Sequence, residues 1–331
     1  HYGFARIMAN HFILGNFYDG LNGVEDTFYF MPLTRYINTI LFIFFGDTIL
    51  GHIFLISFFP ILIFKILSLF LSFKTSKYLV LIFLFFPIFE SLGFTMINYI
   101  NFAVDGYGEG ISYLLLTLII YLYLKEDDNK AKFFFIGFFS FVVIGIRPNY
   151  LVLLCPLIFA YIIYLFFKKH QIKDIYLKFF LLLFGFSFLF LIPLHNYIYS
   201  NEITLLVKTT SLENNLQINY HDYIEFFLSF FSNNEKNIDY TKILLHLSHY
   251  IKIYEFWFLI ILINLFFVIF FKIDLKLKIL SLSLILMHTT FLFYKGDPRY
   301  SMGTWLLSFI IFLYMFKEKY YFFIKKKLLK N

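Results

Sequence analysis

Two carboxylates and two guanidiniums stand out in this chain because of where they fall. Asp105 and Glu109 lie four residues apart in the stretch Asn101-Phe-Ala-Val-Asp-Gly-Tyr-Gly-Glu-Gly110, just where a long apolar run begins. A helix starting that early puts both on one face, and a carboxylate held there can take or orient a proton. The simpler alternative is a hydrated acidic pair near a helix N-terminus, where the helix dipole favours negative charge. Arg147, in Gly-Ile-Arg-Pro-Asn-Tyr, and Arg299, in Lys295-Gly-Asp-Pro-Arg-Tyr300, each stand just before an apolar run. A guanidinium in that position can hold a phosphate through two parallel hydrogen bonds. Alternatively it reaches lipid headgroups or pairs with Asp297 or Glu109. An ionised side chain at membrane depth costs about 2.5–3.5 kcal/mol on insertion scales, which makes each such residue a candidate for a site.

Other ionisable groups read more plainly. Asp19, Glu25 and Asp26 sit in Gly15-Asn-Phe-Tyr-Asp-Gly-Leu-Asn-Gly-Val-Glu-Asp26 and are expected to be mostly solvated loop charges. Glu126-Asp127-Asp128 looks like the acidic triplet of nucleotide-sugar enzymes, but it falls in a short turn with no nucleotide-binding βα unit nearby. His246 and His249 have i, i+3 spacing and no third ligand in view, so no metal site is assigned. Lys65 and Glu90 fall inside apolar runs and receive no role. The single cysteine, Cys155, excludes an intrachain disulfide and Cys/Cys metal sites. No G-x-S-x-G, P-loop, G-x-G-x-x-G or H-E-x-x-H motif occurs.

The elements that must position these residues are membrane helices. Hydrophobic residues make up 60% of the 331, charged residues only 15%, and the mean hydropathy is +0.77. Soluble domains carry about 45–50% apolar and about 25% charged residues. Nine runs approach the length needed to span a bilayer: Thr48–Phe73, Tyr78–Thr95, Gly108–Leu124, Phe133–Ile146, Tyr150–Phe167, Phe179–Tyr199, Glu255–Phe271, Ile279–Tyr294 and Ser301–Phe316. The predicted fold is therefore all-α and polytopic. The chain is read as one membrane domain over 1–331. Its parts are a first extracytoplasmic segment (1–47), six spans (48–199), a long extracytoplasmic loop (200–253), and three spans with a basic tail (254–331). Apolar stripes predict interfacial helices over 4–14 and 33–45, with further ones over 223–231 and 241–253.

Charge alternates between successive loops. One side carries Lys74 and Lys77, then Lys125, Lys130 and Lys132, then Lys168, Lys169, Lys173 and Lys178, then Lys272, Lys276 and Lys278, and finally the lysines of the tail. Eighteen basic residues fall there against nine on the other side. The positive-inside rule puts the basic side and the C-terminus in the cytoplasm. The same rule accounts for the net charge of +7 without nucleic acid. The abundance of Phe and Tyr follows that of Ile, Lys and Asn, all encoded by A/T-rich codons, and is no stacking platform. The chain starts at His1, and the opening residues read as the middle of a longer protein.

The order of features resembles the GT-C superfamily of glycosyltransferases that use polyprenyl-phosphate sugars, nearest to the aminoarabinose-transferase and protein O-mannosyltransferase type. His1-Tyr2-Gly-Phe-Ala5-Arg6-Ile-Met-Ala9-Asn is similar to the family's first interfacial helix, and Leu14-Gly15-Asn16-Phe17 to the turn after it. Met31-Pro32-Leu33-Thr-Arg-Tyr36 and Phe44-Phe45-Gly46-Asp47 resemble the segments that follow. The likeness covers roughly residues 1–165. It implies an inverting membrane glycosyltransferase that moves a sugar from a polyprenyl-phosphate donor to a lipid, glycan or protein acceptor at the extracytoplasmic face of a bacterial plasma membrane, in cell-envelope glycan or lipopolysaccharide synthesis. It implies Glu109, with Asp105 as the other choice, as the catalytic carboxylate. It implies Arg147, Arg299, Lys295 and Arg35 as candidates to hold the donor phosphate. It assigns no cofactor with certainty and leaves a divalent metal open. The family's leading acidic motif would precede His1, and the fragment alone is expected to be inactive. Met31 departs from the basic residue that relatives often carry before the Pro. The competing expectations are a polysaccharide polymerase or ligase acting on lipid-linked glycans, and a transporter or flippase.

Overall fold

The computed structural model describes residues 2–28, 32–85, 108–126, 129–167, 172–205, 255–289 and 298–328, with isolated positions at 224, 228, 243–244 and 247–248. Among the described residues the chain is helical throughout, with no strand. The predicted helices over 223–231 and 241–253 lie largely outside the described residues.

The first compact unit is His1–Pro87 with Thr95–Thr210. It opens with α1 (Tyr2–Ile13), α2 (Phe17–Asn22) and α3 (Pro32–Phe45), followed by α4 (Leu50–Ser68) and α5 (Phe73–Phe85). Then come α6 (Gly108–Leu124), α7 (Ala131–Ile146), α8 (Leu151–Phe167), α9 (Ile172–Ser187) and α10 (Leu191–Ser200). Short 3₁₀ turns join α7 to α8 (Pro148–Tyr150) and α9 to α10 (Phe188–Phe190). The second unit, Ile88–Phe94 with Ser211–Asn331, holds α11 (Glu255–Phe270), α12 (Leu275–Thr289) and α13 (Pro298–Leu328).

The interfacial stripes read over 4–14 and 33–45 appear as α1 and α3, and the run Gly108–Leu124 coincides with α6. Other boundaries move. The run read as Phe179–Tyr199 belongs to a longer helix, Ile172–Ser200, that continues through the 3₁₀ turn and past Pro193. The run read as Thr48–Phe73 ends at Ser68, and α5 begins at Phe73, before the expected Tyr78. Among the described residues three helices are long and apolar enough to cross a membrane: Leu50–Ser68, Pro148–Phe167 and Ile172–Ser200. Gly108–Leu124, Ala131–Ile146 and Leu259–Phe270 are apolar but shorter.

Glycine sets the closest helix crossing. A Cβ on Gly137 of α7 would stand 2.1 Å from the Leu182 carbonyl oxygen of α9, and one on Gly185 of α9 would stand 2.2 Å from the Phe134 carbonyl oxygen of α7. The two backbones touch through this reciprocal pair, the small-residue packing that brings helices together where lipid gives little hydrophobic drive. Around it Phe134, Phe138, Phe184 and Phe188 pack in tilted and edge-on pairs. Leucine there would keep the backbones apart, so the abundant phenylalanines fill space beside the crossing rather than at it.

In the second unit a polar layer ties the three helices. Asn264 Nδ2 of α11 donates to the Ser308 carbonyl of α13 at 3.1 Å. His288 of α12 is buried, meets Ser308 Oγ at 2.9 Å, and stacks on Trp305 with ring centroids 3.8 Å apart. Interhelical hydrogen bonds of this kind contribute roughly 0.6 kcal/mol each in a membrane protein.

Candidate functional site

The break between α7 and α8 is dictated by Pro148. A residue before proline is pushed out of the α region, and Arg147 has φ −138° and ψ 95°. The helix therefore stops at Ile146, and the Arg147 side chain leaves from an extended backbone. It meets Glu109, which lies in the first turn of α6. Arg147 Nη2 donates to Glu109 Oε1 in a close ion pair. The Glu109 side chain is 2% exposed and that of Arg147 is 11% exposed. Tyr150, buried one residue before α8, sets its ring edge-on to that of Tyr113 of α6, with centroids 6.4 Å apart, and lies within electrostatic reach of Arg147. The carboxylate, the guanidinium and two phenols thus share the junction of α6, α7 and α8.

Helix α3 is held against the same junction by two glycines. A Cβ on Gly108 would meet Thr34 Oγ1 at 2.7 Å and Ile146 Cγ2 at 2.5 Å. A Cβ on Gly145 would meet Leu33 Cδ1 at 2.5 Å. Side chains at either position would push α3 away from Glu109 and Arg147.

Arg35, also on α3, is fully buried and turned to a different task. Its Nη1 donates to the Gly23 carbonyl at 2.9 Å, its Nη2 pairs with Glu25 at 2.7 Å, and its guanidinium lies 4.4 Å from the Phe4 ring centroid. Glu25, expected among solvated loop charges, is instead the partner of a buried cation. The physical reason is α2, a six-residue helix that has no apolar period to betray it. The last carbonyls of a helix have no partner inside it. Here side chains from distant helices supply them: the Tyr36 hydroxyl donates to Leu21, His195 Nε2 to Asn22 at 2.9 Å, and Arg35 to Gly23. Gly23 takes the left-handed conformation (φ 69°) that ends the helix. Asn196 Oδ1 accepts the Phe28 amide at 3.0 Å, and Phe28 stacks on His195. Burial, with Tyr199 nearby, raises the Tyr36 phenol well above its ordinary range, while Arg35 opposes this, so Tyr36 serves as a donor. Between α2, α3 and α10 these contacts leave an apolar cavity of about 530 Å³, lined by residues including Phe28, Leu33, Phe141, Ile192 and Ile198.

Of the residues singled out in the sequence, the structure brings together Glu109 and Arg147 and turns Arg35 towards Glu25. Asp105 and Lys295 lie outside the described residues, as do Glu90, Asp127, Asp128, His246 and His249. Arg299 lies in the first turn of α13, and its side chain is outside the described residues. Among the described residues no three His, Cys, Asp or Glu side chains gather to hold a metal ion. Thr34, Tyr113 and Tyr150 were missed by the sequence reading. An aromatic or hydroxyl residue in an apolar run carries no signal of its own, and only the approach of α3 and α6 gives them a place.

The described residues thus define an all-helical protein with three helices of membrane-crossing length and one buried carboxylate–guanidinium pair at a helix junction. No protein-family model, curated protein or solved structure matches this chain.

Proposed function

We propose that this protein is a membrane glycosyltransferase that moves a sugar from a polyprenyl-phosphate donor to a hydroxyl acceptor at the extracytoplasmic face. The observation that carries the reading is the Glu109–Arg147 pair, a buried base and a buried phosphate ligand in contact. The proposal includes nine spans, the lysine-rich loops and the C-terminus in the cytoplasm, and the meeting of the α6 N-terminus with the α7–α8 break near the outer face.

In this reading the two groups part when substrate binds. The donor phosphate takes the Arg147 guanidinium, for which it competes well through bidentate hydrogen bonding. Glu109 is released towards the acceptor. The acceptor hydroxyl oxygen bonds to the anomeric carbon from the face opposite the phosphate. The carbon–oxygen bond to phosphate breaks, and its electron pair leaves with the lipid phosphate. The hydroxyl proton passes to Glu109, and Arg147 stabilises the charge that grows on the phosphate. Arg35 is read as a structural cation that fixes α2. Nothing in this scheme depends on Asp105, Lys295 or Arg299.

The test is consumption of polyprenyl-phosphate sugar by membranes carrying the full-length gene product. Glu109→Gln and Arg147→Ala are each expected to abolish turnover while the protein stays in the membrane. Wild-type turnover in both variants refutes the assignment.

A further inference from the structure

Most buried serine and threonine hydroxyls among the described residues are satisfied within their own helix. Ser112, Thr117, Ser140 and Ser283 each donate to the carbonyl four residues earlier, at 2.7–2.9 Å. Thr39 of α3 does the same with the Arg35 carbonyl at 2.8 Å. Thr34 and Asn38, one turn apart on α3, are exceptions, as is Ser281 in the second unit. Both are 0% exposed, and neither the Thr34 hydroxyl nor either polar atom of the Asn38 carboxamide has a hydrogen-bond partner among the described residues. Thr34 stands in the first turn of α3. Asn38 makes no bond to the Thr34 carbonyl one turn back. A buried polar group left unpaired costs about 1–3 kcal/mol, and an apolar side chain at either position would avoid the penalty.

Thr34 lies on the side of α3 that faces the junction. Thr34 Oγ1 is packed against the Gly108 backbone, one residue from Glu109, and the i, i+4 spacing puts Asn38 on the same face as Thr34. The carboxamide offers two donors and one acceptor, and the threonine adds a hydroxyl that does either. Two neutral side chains presenting both donors and acceptors match the vicinal hydroxyls of a sugar ring, which are themselves both. They do not match a phosphate, which only accepts at neutral pH and is better served by Arg147.

We propose that Thr34 and Asn38 form a sugar-hydroxyl site next to Glu109 and Arg147. It deepens the glycosyltransferase reading, on which the choice of a sugar as ligand rests. The ring it holds belongs either to the donor or to a glycan acceptor.

The experiment is ligand-observed NMR and thermal unfolding on the purified full-length protein in detergent. The probes are methyl glycosides of common hexoses and pentoses, citronellyl phosphate, and the citronellyl-phosphate sugars. Wild-type protein is expected to bind a glycoside or a citronellyl-phosphate sugar. Asn38→Leu and Thr34→Val are each expected to weaken that binding about tenfold or more, while apo thermal stability holds or rises because an unpaired buried group is gone. Loss of the increment between citronellyl phosphate and its sugar ester assigns the site to the donor. Loss of methyl glycoside binding with the increment intact assigns it to the acceptor. No sugar binding in wild type, or binding untouched by both substitutions, overturns the proposal and leaves Thr34 and Asn38 as water ligands. If Asn38→Leu fails to fold, Thr34→Val alone decides, since it is isosteric. Asn38-dependent glycoside binding without any response to citronellyl phosphate keeps the sugar site and removes the glycosyltransferase reading.

Discussion

Neutralising Glu109 alone is expected to destabilise the protein more than neutralising Glu109 and Arg147 together. With side chains 2% and 11% exposed, the pair sits where water screens little. Unit charges roughly 3 Å apart attract by about 5–6 kcal/mol at an effective dielectric of about 20. Desolvation of both groups offsets much of this, and breaking a buried pair by removing one partner costs about 3–5 kcal/mol because the other charge is stranded. Arg147 keeps a tenth of its side chain accessible, so the low end of that range, about 3 kcal/mol, is expected for Glu109→Gln. Arg147→Met, which strands the more deeply buried carboxylate, is expected to cost at least as much. The double variant leaves no stranded charge, and its loss should fall short of the sum of the single losses by more than about 3 kcal/mol, a coupling at the top of the range seen for contacting residues. Reversible unfolding in mixed micelles measures all four proteins. Turnover separates the structural and chemical roles, because the double variant recovers stability and stays inactive. Additive single losses, or a Glu109→Gln protein within about 0.5 kcal/mol of wild type, would refute the buried-pair reasoning.

Gly137→Ala and Gly185→Ala each place a Cβ near 2 Å from a facing carbonyl oxygen. Each should lower stability by about 1–3 kcal/mol or more, read by thermal unfolding in detergent, since backbone atoms cannot turn aside as a side chain can. Arg35→Lys retains the charge but not the planar fork that reaches both Glu25 and the Gly23 carbonyl. Limited proteolysis should then cut the 17–28 segment sooner than in wild type, and equal protection would discount the clamp. In the second unit, burial holds the Glu318 carboxyl above its ordinary range while it accepts the Asp274 amide at 3.0 Å. The folded state thus keeps its proton to higher pH than the unfolded chain does. Stability contributed by the protonated group is complete below the ordinary glutamate range and declines as pH rises towards the raised value. Unfolding measured across that window should show this slope in wild type and a flatter one in Glu318→Gln.

The helices themselves were written in the sequence. Runs of Leu, Ile and Phe long enough to cross a bilayer announce α4, α8 and the Ile172–Ser200 helix, because hydropathy is a local property of consecutive residues. Apolar stripes announced α1 and α3 for the same reason, and Pro148 marked the break that presents Arg147. The residue types able to do chemistry, Glu109 and Arg147, were legible as charges that an apolar chain would not carry without cause. Their partnership was not, since 38 positions separate them. It depends on Gly108 and Gly145 letting α3, α6 and α7 close up, and a glycine declares nothing about what approaches it. Arg35 was equally visible as a cation, yet only packing decided that it would bind Glu25 and the end of α2. That six-residue helix owes its existence to carbonyl partners supplied by Tyr36 and by His195, the latter more than 170 residues away. Thr34 and Asn38 make the same point from the other side. Their types predict ordinary helix-surface polarity, and only tertiary structure, by burying them unpaired, singles them out. Local sequence determined which segments become helices and where charge is carried. Contacts between segments distant in the chain decided which charges meet and which buried polar atoms are left unpaired.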